Sequence, residues 1–94
     1  MFVLNVTYKC KPGMAKAFLE SIRAAGIDAA VRTEDGNLKY DYYFPADGSD
    51  ELLLVEKWRD ADALALHPTL PHMQPIGALK AQYVNETIIE KYEA

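Results

Sequence analysis

Between Glu51 and Trp58 the chain runs at period two with apolar side chains on both faces: Leu52, Leu54, Glu56 and Trp58 on one, Leu53, Val55 and Lys57 on the other. A strand of this kind belongs at the centre of a sheet and needs cover on both sides, because either face left in water exposes a row of apolar groups. A chain of 94 residues supplies one domain, 1–94, because two smaller pieces would each bury too little to be stable. One cover is therefore expected to be the chain's own helices and the other a second subunit, making a homodimer.

The remaining segments fall into place around that strand. Phe2 to Cys10 alternates, with Phe2, Leu4, Val6, Tyr8 and Cys10 on one face, and Pro12-Gly13 breaks it. Met14, Phe18 and Ile22, flanked by Ala15 and Leu19, recur at helical spacing; Gly26 ends or kinks this helix, and Ile27 to Arg32 adds a further turn. Asp35-Gly36-Asn37 is a turn, after which Leu38, Tyr40, Tyr42 and Phe44 share one face of a second strand, and Pro45 to Asp50 reads as a polar hairpin loop. Asp60 caps a helix running to about His67, where Pro68 stops it, and Thr69–Met73 and Pro75–Gly77 read as short interrupted helical pieces. Tyr83 to Tyr92 is the last strand. The order β, α, β, β, α, β predicts an α+β, ferredoxin-like fold: a four-stranded antiparallel sheet with helices on one face.

Composition removes several functional classes. The net charge is −4 and the basic residues are scattered singly, so neither nucleic acid nor a membrane surface is an expected partner. No apolar run approaches the roughly 20 residues that span a bilayer, and Met1-Phe2-Val3-Leu4-Asn5-Val6 lacks the basic leader of a signal peptide, so the expected location is cytoplasmic. The single cysteine, Cys10, sits at a strand end and reads as a small hydrophobe. There is no Gly-rich phosphate loop and no serine-centred nucleophile elbow, which disfavours kinase, dehydrogenase and hydrolase chemistry.

Chemistry-bearing residues concentrate between positions 56 and 72. His67 and His72 are the only histidines, and imidazole is the usual carrier of a proton near neutral pH; each can equally bond a free carbonyl at a helix end. Their five-residue gap, broken by Pro68 and Pro71, is not the one-face spacing of a helical metal site, and Glu56 is the one evident third ligand, so no metal is assigned. Trp58 can wall a pocket and offer one N–H donor, or pin helix to sheet. Asn5, opposite Leu4 and Val6 on its strand, can present a donor and an acceptor to a bound oxygen species or remain a polar residue on a wet face. Tyr40 and Tyr42 can line an aromatic pocket or simply pack.

The element order, the run Leu53-Leu54-Val55-Glu56-Lys57-Trp58-Arg59-Asp60 and the following Ala63-Leu64-Ala65-Leu66-His67 resemble the antibiotic biosynthesis monooxygenase family. There the third strand ends in Glu-x-Trp and the next helix in His, often with a second His shortly after; Glu56, Trp58, His67 and His72 stand at those positions. The resemblance implies a dimeric α/β barrel of two back-to-back sheets with a small pocket in each subunit. It also implies oxidation of phenolic or quinol-like aromatics by O2 without metal or flavin. In that frame the expected base is His67 or His72, with Asn5, Trp58, Glu56, Tyr40 and Tyr42 as the expected surroundings of a small aromatic or quinone-like ligand. Haem-degrading relatives carry a first-strand Asn, a Trp and a His, matched here by Asn5, Trp58 and His67, so haem is the alternative cofactor. A non-catalytic dimeric module that binds a small ligand is the third expectation.

Overall fold

The computed structural model describes residues 1–94. The elements run β1 (Phe2–Cys10), α1 (Ala15–Ala24), α2 (Ile27–Arg32), β2 (Asn37–Tyr43), β3 (Glu51–Trp58), α3 (Ala61–Leu66), two 3₁₀ turns (His67–Thr69 and Pro71–Met73), α4 (Ile76–Tyr83) and β4 (Val84–Glu93). They form a four-stranded sheet in the order β2-β3-β1-β4, antiparallel throughout, so β3 is central as its two-faced pattern requires.

The register assigns each face. Leu4 pairs with Glu56, Val6 with Leu54 and Tyr8 with Leu52; these six face the helices and are buried. Against them pack Phe18, Leu19 and Ile22 of α1 and Ile27 and Val31 of α2. Trp58, Phe18, Ile22, Leu52 and Leu54 have essentially no exposed surface, and truncation of such a residue to Ala costs about 2–5 kcal/mol. The opposite face carries Val3, Asn5 and Thr7 beside Lys57, Val55 and Leu53, all half-buried, with Ile88 beside Thr7.

Local chemistry explains where the chain departs from its pattern. The β2–β3 register shifts between Asn37 and Lys39; the extra residue at this bulge is Leu38, which is 56% exposed instead of sharing the inner face with Tyr40. Phe44 falls just beyond β2 and is also exposed, and Met14 precedes α1 as an exposed cap position. The stretch expected to be broken after Pro75 is instead the two-turn helix α4, which Pro75 can precede because the first helical turn needs no N–H from it. Tyr83 ends α4 rather than opening β4: its hydroxyl accepts from Ser21 Oγ at 3.0 Å, and its ring lies 6.0 Å from that of Phe18, tying α4 to α1. No helix is long and apolar enough to cross a membrane.

Candidate functional site

The site is built where β3 hands over to α3. Asp60, two residues after Trp58, caps α3 by accepting from Ala63 N–H at 2.9 Å, which fixes the helix start at Ala61. Pro68 then tightens the chain into the first 3₁₀ turn and leaves His67 buried at its head. The imidazole of His67 packs against the Trp58 ring, centroids 4.6 Å apart and planes tilted by 39°, and is met edge-on by Tyr40 at 5.8 Å.

The residue that organises both histidines is Glu34, in the turn between α2 and β2. Its Oε2 lies 2.9 Å from His67 Nδ1 and 2.7 Å from His72 Nε2, and its side chain is almost fully buried. An ionised carboxylate only accepts, so against ionised Glu34 each contacting ring nitrogen is the N–H donor, and in the neutral ring of His67 the lone pair then sits on Nε2. That nitrogen looks toward Glu56, whose Oε1 is 3.9 Å away. Glu56 Oε1 in turn accepts from Trp58 Nε1–H at 3.0 Å.

Several features place Glu34. Arg32 donates twice to the carbonyl of Tyr40, at 2.7 and 3.1 Å, and pairs with the buried Asp28 at 3.3 Å, which clamps α2 onto β2. Gly36, at φ +88°, comes so close to α3 that a Cβ there would sit 2.5 Å from Ala63 Cβ. Arg59 N–H donates to the Gly36 carbonyl at 2.8 Å, and its guanidinium grips Asp35 through two nitrogens. The turn is thereby pressed against α3 with Glu34 over the histidines.

Electrostatics divides the cluster. Burial is the main cause that raises the Glu56 carboxyl above its ordinary range; the Trp58 hydrogen bond and nearby His67 pull it back, and Glu34 adds to the rise. Burial likewise pushes the hydroxyls of Tyr8, Tyr40 and Tyr42 upward, so all three remain neutral donors.

A cavity of about 350 Å³ opens beside this cluster, between the sheet and α3 and α4. Its floor is Leu4, Val6 and Tyr8 of β1 with Thr87 and Ile89 of β4, and Leu64 and Pro68 cover it. Glu56 and His67 reach into it at one side and Lys80 borders it from α4. The volume is at the small end for ligand pockets.

Of the seven side chains singled out by sequence, Glu56 and His67 line this cavity. Trp58 and Tyr40 lie behind them, 0% and 2% exposed, and do not line the cavity. His72 bonds Glu34 from the far side, and Tyr42 packs at 5.7 Å on Tyr40 away from the cavity. Asn5 is on the opposite face of β1. Glu34 was missed, as were Lys80, Tyr8 and Thr87; the one local signal for Glu34 was its place at the head of the Asp35-Gly36-Asn37 turn. Glu34, His67 and His72 are also the group whose donor atoms, all within 4.8 Å of one another, could close on a metal ion, so the third ligand would be Glu34 rather than Glu56. The contacts to Glu34 are of hydrogen-bond length.

The geometry agrees with comparison to known proteins. The sequence profile of the antibiotic biosynthesis monooxygenase family matches residues 1–78. A Bacillus subtilis protein described as "Putative monooxygenase YcnE" is 31% identical over 74 residues, 79% of this chain and 76% of that protein. The crystal structure of PA3566 from Pseudomonas aeruginosa superposes with a TM-score of 0.86 at 27% identity, covering 99% of this chain and 92% of that one. A structure from Nitrosomonas europaea, described as a putative antibiotic biosynthesis monooxygenase, shares the fold with a TM-score of 0.89 at 22% identity, over 100% of this chain and 98% of that one. The Glu56–Trp58 strand end, His67 behind it and the matching fold together make this chain a member of the antibiotic biosynthesis monooxygenase family.

Proposed function

We propose that the protein is a monooxygenase of small hydroxyaromatic or quinol-type compounds that uses O2 with no resident cofactor, and that His67 is its base. The observation that carries this reading is the orientation of His67: Nδ1 is committed to Glu34 at 2.9 Å, and Nε2 is left as an acceptor at a cavity sized for one or two rings. A phenolic hydroxyl placed there gives its proton to Nε2, and Glu34 stabilises the resulting imidazolium. The phenolate is electron-rich at the carbons ortho and para to its oxygen, and one of these that carries hydrogen adds O2; in a hydroquinone, whose para carbon bears the second hydroxyl, that is an ortho carbon. Loss of the ring proton from the same carbon and cleavage of the O–O bond leave a quinone carbonyl and one water. The substrate supplies all the electrons, so no external reductant enters. Glu56, whose carboxyl burial raises above its ordinary range, faces His67 Nε2 at 3.9 Å and in its protonated form is placed to donate to the departing oxygen.

Haem finds less support. A porphyrin iron on His67 Nε2 would have to fit in the 3.9 Å between that nitrogen and Glu56 Oε1, and the cavity has the volume of a far smaller ligand.

The assembly we propose is a homodimer through the open sheet face. Val3, Leu53, Val55 and Ile88 give that face an apolar centre, flanked by Lys39 and Lys57 and by Asp41 and Glu90, a mixture of charge that a second copy can complement. In that arrangement Asn5 lies in the interface.

The test is oxygen uptake with simple hydroquinones and hydroxynaphthalenes. One O2 is consumed per molecule of product, a hydroxyquinone from a hydroquinone and a quinone from a hydroxynaphthalene, with no hydrogen peroxide released, and His67→Gln lowers kcat by about 10²–10⁴-fold. Equal substrate loss without oxygen, or full activity in His67→Gln, contradicts the proposal.

A further inference from the structure

The two ends of the cavity differ in chemistry. Leu4 is paired with Glu56 and Tyr8 with Thr87, so at about 3.3 Å per residue the two ends of the floor stand roughly 13 Å apart. At the first end are His67 and Glu56, with Glu34 behind them. At the second, Lys80 of α4 is half-buried with its ammonium 6.0 Å from the centre of the Tyr8 ring. Between them the lining is apolar, formed by Leu4, Val6 and Ile89.

Lys80 is the one cation lining this space, and it takes part in none of the chain's ion pairs. A half-buried ammonium beside a low-dielectric cavity attracts an anion more strongly than a solvated one does. The Glu34 carboxylate behind the opposite end disfavours an anion there, so the same field that draws in a charged ligand also sets its direction. The Thr87 hydroxyl stands at the Lys80 end and can add a hydrogen bond to the same group.

We infer that the ligand of this cavity is a hydroxyaromatic acid, bound with its hydroxyl at His67 and a carboxylate at Lys80, and that Lys80 is the specificity-determining residue. This deepens the oxygenase reading and rests on it for the role of His67, but the anionic anchor stands on the cavity alone. Neutral quinols lack the anchor and bind more weakly.

The experiment is a fluorescence titration with a hydroxynaphthoate whose hydroxyl and carboxylate sit at opposite ends of the fused rings, beside the primary amide of the same compound. The proteins are wild type, Lys80→Met and Lys80→Arg, with melting temperatures recorded to establish that each is folded. Wild type binds the acid at least about tenfold more tightly than the amide, Lys80→Arg keeps the preference, and Lys80→Met loses it while its affinity for the amide stays within about twofold. Equal binding of acid and amide by wild type, a preference that survives in Lys80→Met, or no binding of either compound overturns the inference. Oxygen uptake separates the two claims. Lys80-dependent binding of the acid without turnover sinks the oxygenase reading and leaves the anchor, whereas turnover of neutral quinols without any acid preference sinks the anchor alone.

Discussion

Glu56 shows what burial does to a single side chain. Its carboxyl is raised chiefly by burial, so the folded protein holds this proton more firmly than the unfolded chain does. Where the folded value lies above the unfolded one, folding takes up a proton. The associated stability is present at low pH and lost as pH rises from the ordinary carboxylate range through the raised value. Glu56→Gln has no such titration and keeps an oxygen for Trp58 Nε1–H. Urea unfolding between about pH 4 and 8 is therefore predicted to show the variant gaining on wild type as pH increases; a gap independent of pH would contradict the assignment. Glu56 and His67 could be read from sequence because their residue types and the nearby Trp58 advertise chemistry. Glu34 could not, since its partners are 33 and 38 positions away and a lone acidic residue at a turn is an ordinary surface feature.

The turn between α2 and β2 makes the same point for elements. The alternation and helical spacing predicted all four strands and the helices of the first half, because periodicity reports which face is buried. It could not foresee the bulge that ejects Leu38, which depends on the register with β3, nor the length of α4, whose burial comes from contacts with α1. Gly36 looked like any turn glycine, yet it is where the turn meets Ala63. Gly48 has a similar left-handed φ, +74°, with nothing within 4 Å of a Cβ. Ala at either position carries the backbone strain, about 1–3 kcal/mol, but only Gly36→Ala also forces the turn off α3. Thermal melts are expected to place Gly36→Ala below Gly48→Ala by at least about 4 °C, with His67 displaced in the same variant. Equal losses would mean that the close approach to Ala63 contributes nothing.

For the whole molecule, the sequence pattern of β3 demanded cover on two sides, and the chain's own helices supply one. The proposed second subunit supplies the other, so sedimentation should show two chains at micromolar concentration and one for Leu53→Glu, whose added charge would be buried at the contact; wild type sedimenting as one chain would remove the dimer. The site depends on the fold in the same way, because Glu34, Glu56 and His67 come from three separate segments and meet only when α2, β3 and α3 are all in place. Proton transfer at the cavity turns on how that meeting holds His67. Nitrogen-15 NMR of the imidazoles reads it directly: the neutral ring of His67 is expected to carry its proton on Nδ1 with Nε2 unprotonated, and Glu34→Gln to erode this preference. A His67 found with the proton on Nε2 and a bare Nδ1 would contradict it, because no base would then face the cavity.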